Sequence, residues 1–350
     1  MPNTGLAQTS NVALVLAIVL YAMAMLGYAC HFAFGKRQSA AASSSATPQP
    51  QLVGAAAGAG GAGAGDTAAG DDGSAWSGRG ALPAPAPAAA RRSPWPEGSW
   101  QRVAFLLTCA GLILHITAVA TRGMAEHRVP WGNMYEFIAA ITCAAVLALV
   151  ICAVRFRAYY MGLFVLVLVV LALAVDVIVI YTPAGELMPA LQSYWLAIHV
   201  TGMIIATGTF IFGAVVTALY LLVSRHQRRT AAGEPSALAG IMDRLPGAEV
   251  LDRLAYRAVT VAFPTWTFAV IAGAIWADHA WGRYWGWDPK ETWSFITWLV
   301  YAAYLHARRT AGWRGGRAAS IQMFGFACLL FNLVGVNLWV SGLHSYAGLH

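Results

Sequence analysis

The stretch WADHAWGRYWGWDPKETW, residues 276–293, lies between two long apolar runs and decides how they are read. Five of the chain's 14 tryptophans fall in these 18 residues: Trp276, Trp281, Trp285, Trp287 and Trp293. Interleaved with them are Asp278, His279, Arg283, Asp288, Lys290 and Glu291. An ionisable side chain costs roughly 2.5–3.5 kcal/mol at the centre of a bilayer. A stretch with this many cannot be the middle of a span, so it is a membrane-surface segment tethered at both ends. An aromatic belt would explain a tryptophan or two at a helix end. Five gathered around Gly282 and Gly286 better suit a flat aromatic surface for a flat apolar ligand.

The apolar runs on either side then read as spans. Of the 350 residues, 59% are hydrophobic and only 11% are charged, against about 25% charged in soluble domains. This is an all-α polytopic membrane protein. Residues 11–34 are the first span, longer than a cleavable leader and read as a retained N-terminal transmembrane helix within 1–37. Residues 38–98 run through AAASSSATPQP, GAAAGAGGAGAG and ALPAPAPAAA. Such a stretch buries too little apolar surface to offset the entropy of ordering it, and is expected to be a disordered linker. Residues 99–350 hold seven more spans, near 101–121, 134–154, 158–181, 194–224, 258–277, 291–308 and 319–341. About eight transmembrane helices are therefore expected, with a polar, partly amphipathic loop at 225–257.

A net charge of +7 raises the question of nucleic acid, but its distribution excludes that reading. In the eight-span arrangement, 18 of the 22 Lys and Arg fall on one side. Only Arg122, Arg128, Arg283 and Lys290 fall on the other. Positive charge marks the cytoplasmic side, which puts the linker inside and both termini and the Trp-rich loop 276–293 outside. The five cysteines lie in or beside apolar segments, and no two have CxxC spacing. They offer neither a redox pair nor a zinc site and read as small buried hydrophobes. GYACH at 27–31 has Gly where a covalent haem-attachment motif needs its first Cys.

Topology sorts the histidines. His199 lies near the outer end of the fifth span and His344 just past the outer end of the eighth, both level with the Trp-rich loop. Each alone reads as an interfacial polar residue. Together, beside aromatic rings, they suit the axial ligation of haem iron. His306, near the inner end of the seventh span, is either an interfacial side chain or an intramembrane metal ligand. His115 is either a ligand or a hydrogen-bonded bundle residue. His279, inside the loop, would approach a ligand without binding its metal.

The run WGRYWGWDPKETWSFITWLVYAAYLHAR, 281–308, resembles the tryptophan-rich "WWD" segment of the haem-handling proteins of cytochrome c maturation. FNLVGVNLWVSGLHSYAG, 331–348, resembles the end of the system II member, the CcsA family (CcsB or ResC in some bacteria). PWGNMYEF at 130–137 and LQSYWLAIHV at 191–200 match other blocks of that family. The likeness covers roughly 101–350; the first span and linker fall outside it, as an added extension. The resemblance implies a multi-pass bacterial plasma-membrane protein that moves haem b outward and presents it for thioether attachment to CxxCH of apocytochrome c. It implies that His199 and His344 are axial ligands of external haem and that Trp281, Trp285, Trp287 and Asp288 are its contact core. It also implies that His306 holds haem within the membrane. The partners implied are a ResB/CcsB-type membrane protein, forming with this chain a holocytochrome c synthase complex, apocytochrome c, a thiol-reducing thioredoxin-like protein, and membrane lipid. No catalytic side chain is required of this chain. The alternatives are a bis-His b-type electron-transfer subunit and a haem exporter without ligation activity.

Overall fold

A computed structural model describes residues 3–34, 96, 98–185, 192–235, 239–310 and 312–344. Almost all of the expected linker, and the last six residues, lie outside them. Helix α1 spans Thr4–Phe34, α2 Ser99–Glu126 and α3 Met134–Phe156. A 3-10 turn, Tyr159–Met161, leads into α4, Gly162–Val175, which ends in a π-helical turn, Asp176–Ile180. Then come α5 (Tyr194–Ala231), a short α6 (Ala239–Met242), α7 (Ala248–Trp281) and α8 (Pro289–Arg309). Helix α9, Gly316–Leu330, continues through a second π turn, Phe331–Gly335, into α10, Val336–Trp339. Among the described residues there is no strand.

Among the described residues, seven helical segments are long and apolar enough to cross a membrane. The remaining expected span, 291–308, is α8. It is a 21-residue helix but a more polar one, since it begins on Lys290 and Glu291 and ends on His306, Arg308 and Arg309. The expected loop 225–257 is largely helix: α5 continues to Ala231 and α7 already begins at Ala248. Arg308 of α8 reaches back to the α7 carboxylate of Asp252, at 2.7 and 2.9 Å to its two oxygens.

Helices without a hydrophobic driving force between them need small residues to approach closely. Helix α5 packs along α7 through Gly202, where a Cβ would stand 2.8 Å from that of Ala269. Helix α1 packs along α2 in the same manner, with the fully buried ring of Tyr21 lying over Gly111. Tyr21 also hydrogen-bonds His115 of α2, whose ring is fully buried; this is the hydrogen-bonded bundle role for His115. The first helix is thus built into the bundle through a tyrosine–histidine contact and a Ser10 hydroxyl that donates to Ala118 O at 2.7 Å.

At the end of the bundle that carries the tryptophans, a buried charge cluster pins the turn before α3. Arg122 and Arg128 both face Glu126 and Glu136, at 2.6–3.2 Å. Glu136 accepts from Gly132 N at 2.8 Å and from Asn133 Nδ2 at 3.1 Å, while Asn133 caps α3 by accepting from Glu136 N. Arg122 also donates to Thr182 O at 2.6 Å, which ties the end of the fourth span to the same point. A buried ion loses several kcal/mol of hydration, so such a cluster holds only when every charge is matched, as two Arg and two Glu are here. Its consequence is local rigidity: residues 131–133 are held against a neighbouring cavity.

Candidate haem-handling site

That cavity is a slot bounded by α5, α7, the start of α8, the π turn after α9, and the turn at 131–133. Its empty space is about 1200 Å³, counting solvent at its mouth. His199, Trp276, Trp281, Trp285 and His344 line it together. Deeper in, the walls are Met203, Thr207, Trp266 and Leu329. The slot therefore runs from the tryptophan-rich end into the body of the bundle.

The quoted stretch is less of a loop than expected. Trp276–Trp281 are the end of α7, and Pro289 opens α8. Only residues 282–288 connect them. Gly282 takes the left-handed backbone (φ 71°) that closes α7, with its N–H on Asp278 O at 2.8 Å. Asp288 then starts α8 as its N-cap, paired with Glu291 in a capping box, with Pro289 in the first turn. Glu291 also accepts from Gly286 N at 2.8 Å. The connection is thereby fixed at both ends by the caps of the helices it joins.

Trp276 is the centre of the site. It is 2% exposed, and its indole lies nearly parallel to the His199 imidazole, 6.2 Å away with 8° between planes. On another side it meets His344 at 6.0 Å and Trp281 at 4.7 Å, and Trp281 meets His344 edge-on at 5.1 Å. Both histidines singled out in the sequence therefore touch one tryptophan. Trp281 and Trp285 also reach the slot. Trp287 does not: it is 66% exposed and packs edge-on against Trp285 and Phe295. Its backbone is left-handed (φ 59°), a strained conformation for an aromatic residue, just before the chain turns into α8.

Each imidazole is fixed through Nδ1. His199 Nδ1 lies 2.8 Å from Ala269 O on α7. A carbonyl only accepts, so Nδ1 carries the proton and the lone pair belongs to Nε2. The ring fits because α7 has Gly273 there; a Cβ at that position would stand 2.5 Å from His199 Nδ1. His344 Nδ1 lies 2.8 Å from Asp288 Oδ2, and Asp288 Oδ1 accepts from Leu343 N at 2.7 Å. Burial raises the Asp288 carboxyl, but hydrogen bonds from His344, Leu343 and Lys290 outweigh it and hold it below the usual carboxylate range. An ionised Asp288 accepting from Nδ1–H assigns the His344 lone pair to Nε2 as well. This is the arrangement in which a carboxylate or carbonyl orients a metal-binding histidine.

His306 stands apart. It is exposed in the last turn of α8 and does not reach the slot. His279 is exposed and does not line the slot. Among the described residues, no group of three or more His, Cys, Asp or Glu gathers to hold a metal ion, so the site presents imidazoles as a pair.

Several contributors were not singled out as ligand contacts from sequence. Trp276 was counted among the five tryptophans, but its burial between two histidines depends on the rotation of α7. Trp131, Gly132 and Asn133 line the opposite wall. Asn332 and Asn337 both face the slot; residues five apart lie about 140° apart on a straight α-helix, and the π turn at Phe331–Gly335 brings them round. Polar residues in an apolar run were the available clue to these two.

Residues 131–344 match the model of a family described as "Cytochrome C assembly protein". "Cytochrome c biogenesis protein CcsA" of Guillardia theta is 36% identical over 248 residues, covering 66% of this chain and 81% of the relative. The protein of that name from Gloeobacter violaceus is 35% identical over 309 residues, covering 73% and 91%. That from Porphyra purpurea is 31% identical over 297 residues, covering 73% and 92%. The matched region begins at Trp131 in the slot wall and ends at His344, and on that extent of likeness the chain belongs to the cytochrome c assembly protein family, on its CcsA branch.

Proposed function

We propose that this chain carries out the haem-handling step of system II cytochrome c maturation, taking haem b through the membrane and presenting it in the slot to apocytochrome c. The observation that carries this is the pair His199 and His344. They share one cavity, both touch Trp276, and each has its Nδ1 proton committed to a fixed acceptor, so that Nε2 is the ligating atom. Two such imidazoles suit the two axial positions of haem iron, and the tryptophan rings suit its face.

In this reading the tryptophan-rich end and both termini lie outside the plasma membrane. His306, exposed on α8, holds haem within the bilayer with a second ligand from a ResB/CcsB-type partner. In the slot, His199 and His344 hold the ring, while Trp281 and Trp285 cover it and exclude water. Trp287 and Asp288 act around that core, Trp287 by supporting Trp285 and Asp288 by holding His344. Each thiol of CxxCH adds across one vinyl group: sulfur bonds to the carbon next to the ring and hydrogen goes to the terminal carbon. No electrons are exchanged, provided that the thiols arrive reduced, the task of the thioredoxin-like partner. The chain's contribution is position rather than acid–base chemistry.

Reconstitution of the chain with its partner in lipid, supplied with haem and a reduced CxxCH apocytochrome, is expected to yield haem that stays on the polypeptide in a denaturing gel. Release of haem without attachment would overturn the reading in favour of an exporter.

The glycine under His199 makes a sharper local prediction. In Gly273→Ala the new methyl group would displace the imidazole, since both Nδ1 and Cε1 are within 2.6 Å of it. Overpacking of this kind costs about 1–3 kcal/mol, so haem affinity measured by titration is expected to fall by roughly 5–150-fold. Gly240→Ala, where a Cβ meets open space, is the reference.

A further inference from the structure

Four Lys and Arg side chains lie at the tryptophan-rich end among the described residues: Arg122, Arg128, Arg283 and Lys290. Three have carboxylate partners. Arg122 and Arg128 share Glu126 and Glu136, and Arg283 faces Glu291 at 3.6 Å while lying against Gly286. Lys290 makes no ion pair with a described residue, and of the four it alone lines the slot. Its neighbour Glu291 turns one oxygen to the amides of Gly286 and Asp288 and the other towards Arg283. Burial lowers the Lys290 ammonium to about 8, with Asp288 acting in the opposite direction. Lys290 is half-buried in a mostly apolar slot, and the missing counter-charge is one that a ligand can bring.

Resting on the proposed function, we infer that Lys290 binds a carboxylate of the haem and thereby sets which edge of the ring enters the first turn of α8. The two propionates of haem b share one edge and the two vinyl groups lie on the other half of the ring. Pairing a propionate with Lys290 turns the vinyl groups away from α8, toward the part of the slot not closed by Asp288 and Glu291. Arg283 does not take this role, because it faces Glu291 and does not line the slot. Lys290 is then a specificity-determining residue: it selects a ring with free carboxylates and one of its orientations.

The test compares haem with its dimethyl ester, which keeps the iron, the ring and the vinyl groups but has no charge to offer. The full chain with its partner, in phosphatidylcholine nanodiscs, is titrated with each ligand and read by the absorbance change that His344→Ala removes. Wild type is expected to prefer haem over the ester by at least about 10-fold, the size of one charge-assisted hydrogen bond. Lys290→Gln is expected to abolish that preference while leaving ester binding unchanged, and Lys290→Arg to retain it. A Lys290→Gln variant that keeps the wild-type preference overturns the inference alone, and is the result expected if Lys290 serves a lipid phosphate. Equal weakening of both ligands also overturns it, by showing a packing role. Binding of neither ligand by wild type overturns the proposed function itself.

Discussion

His344→Ala is expected to remove the absorbance of haem in the slot and to lower cytochrome assembly by more than about 100-fold, with added imidazole restoring part of both. The magnitude follows from the role: loss of a residue that merely orients a ligand costs about 10–100-fold, and loss of the ligand costs more. His344 comes after α10, in a segment tied down by Asp288 through both Leu343 N and the imidazole. Alanine leaves a ring-shaped gap beside Trp276 and Trp281, and free imidazole fits such a gap with its own nitrogen toward the iron. His199→Ala is expected to behave alike, with weaker rescue, because its gap lies within the α5–α7 contact around Gly273. His279→Ala, exposed at the same end, is the control and is expected to change neither readout. Haem spectra and haem-stained gels measure the two effects. Normal spectra and assembly in both His199→Ala and His344→Ala would remove the axial assignment.

The parts of the fold that could be read in the sequence are those set by composition along the chain. Apolar runs gave the spans, and their alternation put His199, His344 and the tryptophans at one level. Charge placed them only coarsely. Arg122 and Arg128 looked like two stray cations on the less basic side; they are half of a buried cluster whose carboxylates, Glu126 and Glu136, come from separate helices. Arg283 and Lys290 are alike in sequence as cations of the Trp-rich stretch, and differ because Arg283 lies against Gly286 and faces Glu291 while Lys290 lines the slot. Trp287 sits inside a run of tryptophans, yet its left-handed backbone accompanies an exposed indole. The helix ends were displaced for a simpler reason. Polar residues 225–231 and 248–257 read as a loop by hydropathy, but a helix that has left the apolar region continues for as long as its own backbone bonds and side-chain pairs support it, as Arg308–Asp252 does for α7.

Asp288→Asn is expected to lower haem affinity in the slot by roughly 10–100-fold, although it changes one atom of a residue that need not touch the ligand. Asp288 is 7% exposed and accepts from three donors: His344 Nδ1, Leu343 N and Lys290 N. Asparagine caps helices as well as aspartate does, so the start of α8 and the stability of the bundle are expected to hold. What asparagine cannot do is accept with both of its terminal atoms. Its NH2 group must face either Leu343 N–H or His344 Nδ1. In the first case two donors oppose each other and the segment before His344 loosens. In the second the imidazole is driven to carry its proton on Nε2, the atom that would bind iron. Either outcome spoils the ligand while the ring remains in place. Imidazole is therefore expected to rescue His344→Ala but not Asp288→Asn, where no gap exists for it to enter. Thermal unfolding in detergent separates this from a general loss of stability: an unchanged midpoint with weakened haem binding marks a positioning residue. Wild-type affinity in Asp288→Asn would show that the tautomer of His344 does not depend on this carboxylate. Rescue of Asp288→Asn by imidazole would show instead that the His344 ring leaves the slot when the carboxylate is lost, placing the effect on the tether of the terminal segment rather than on the proton at Nε2.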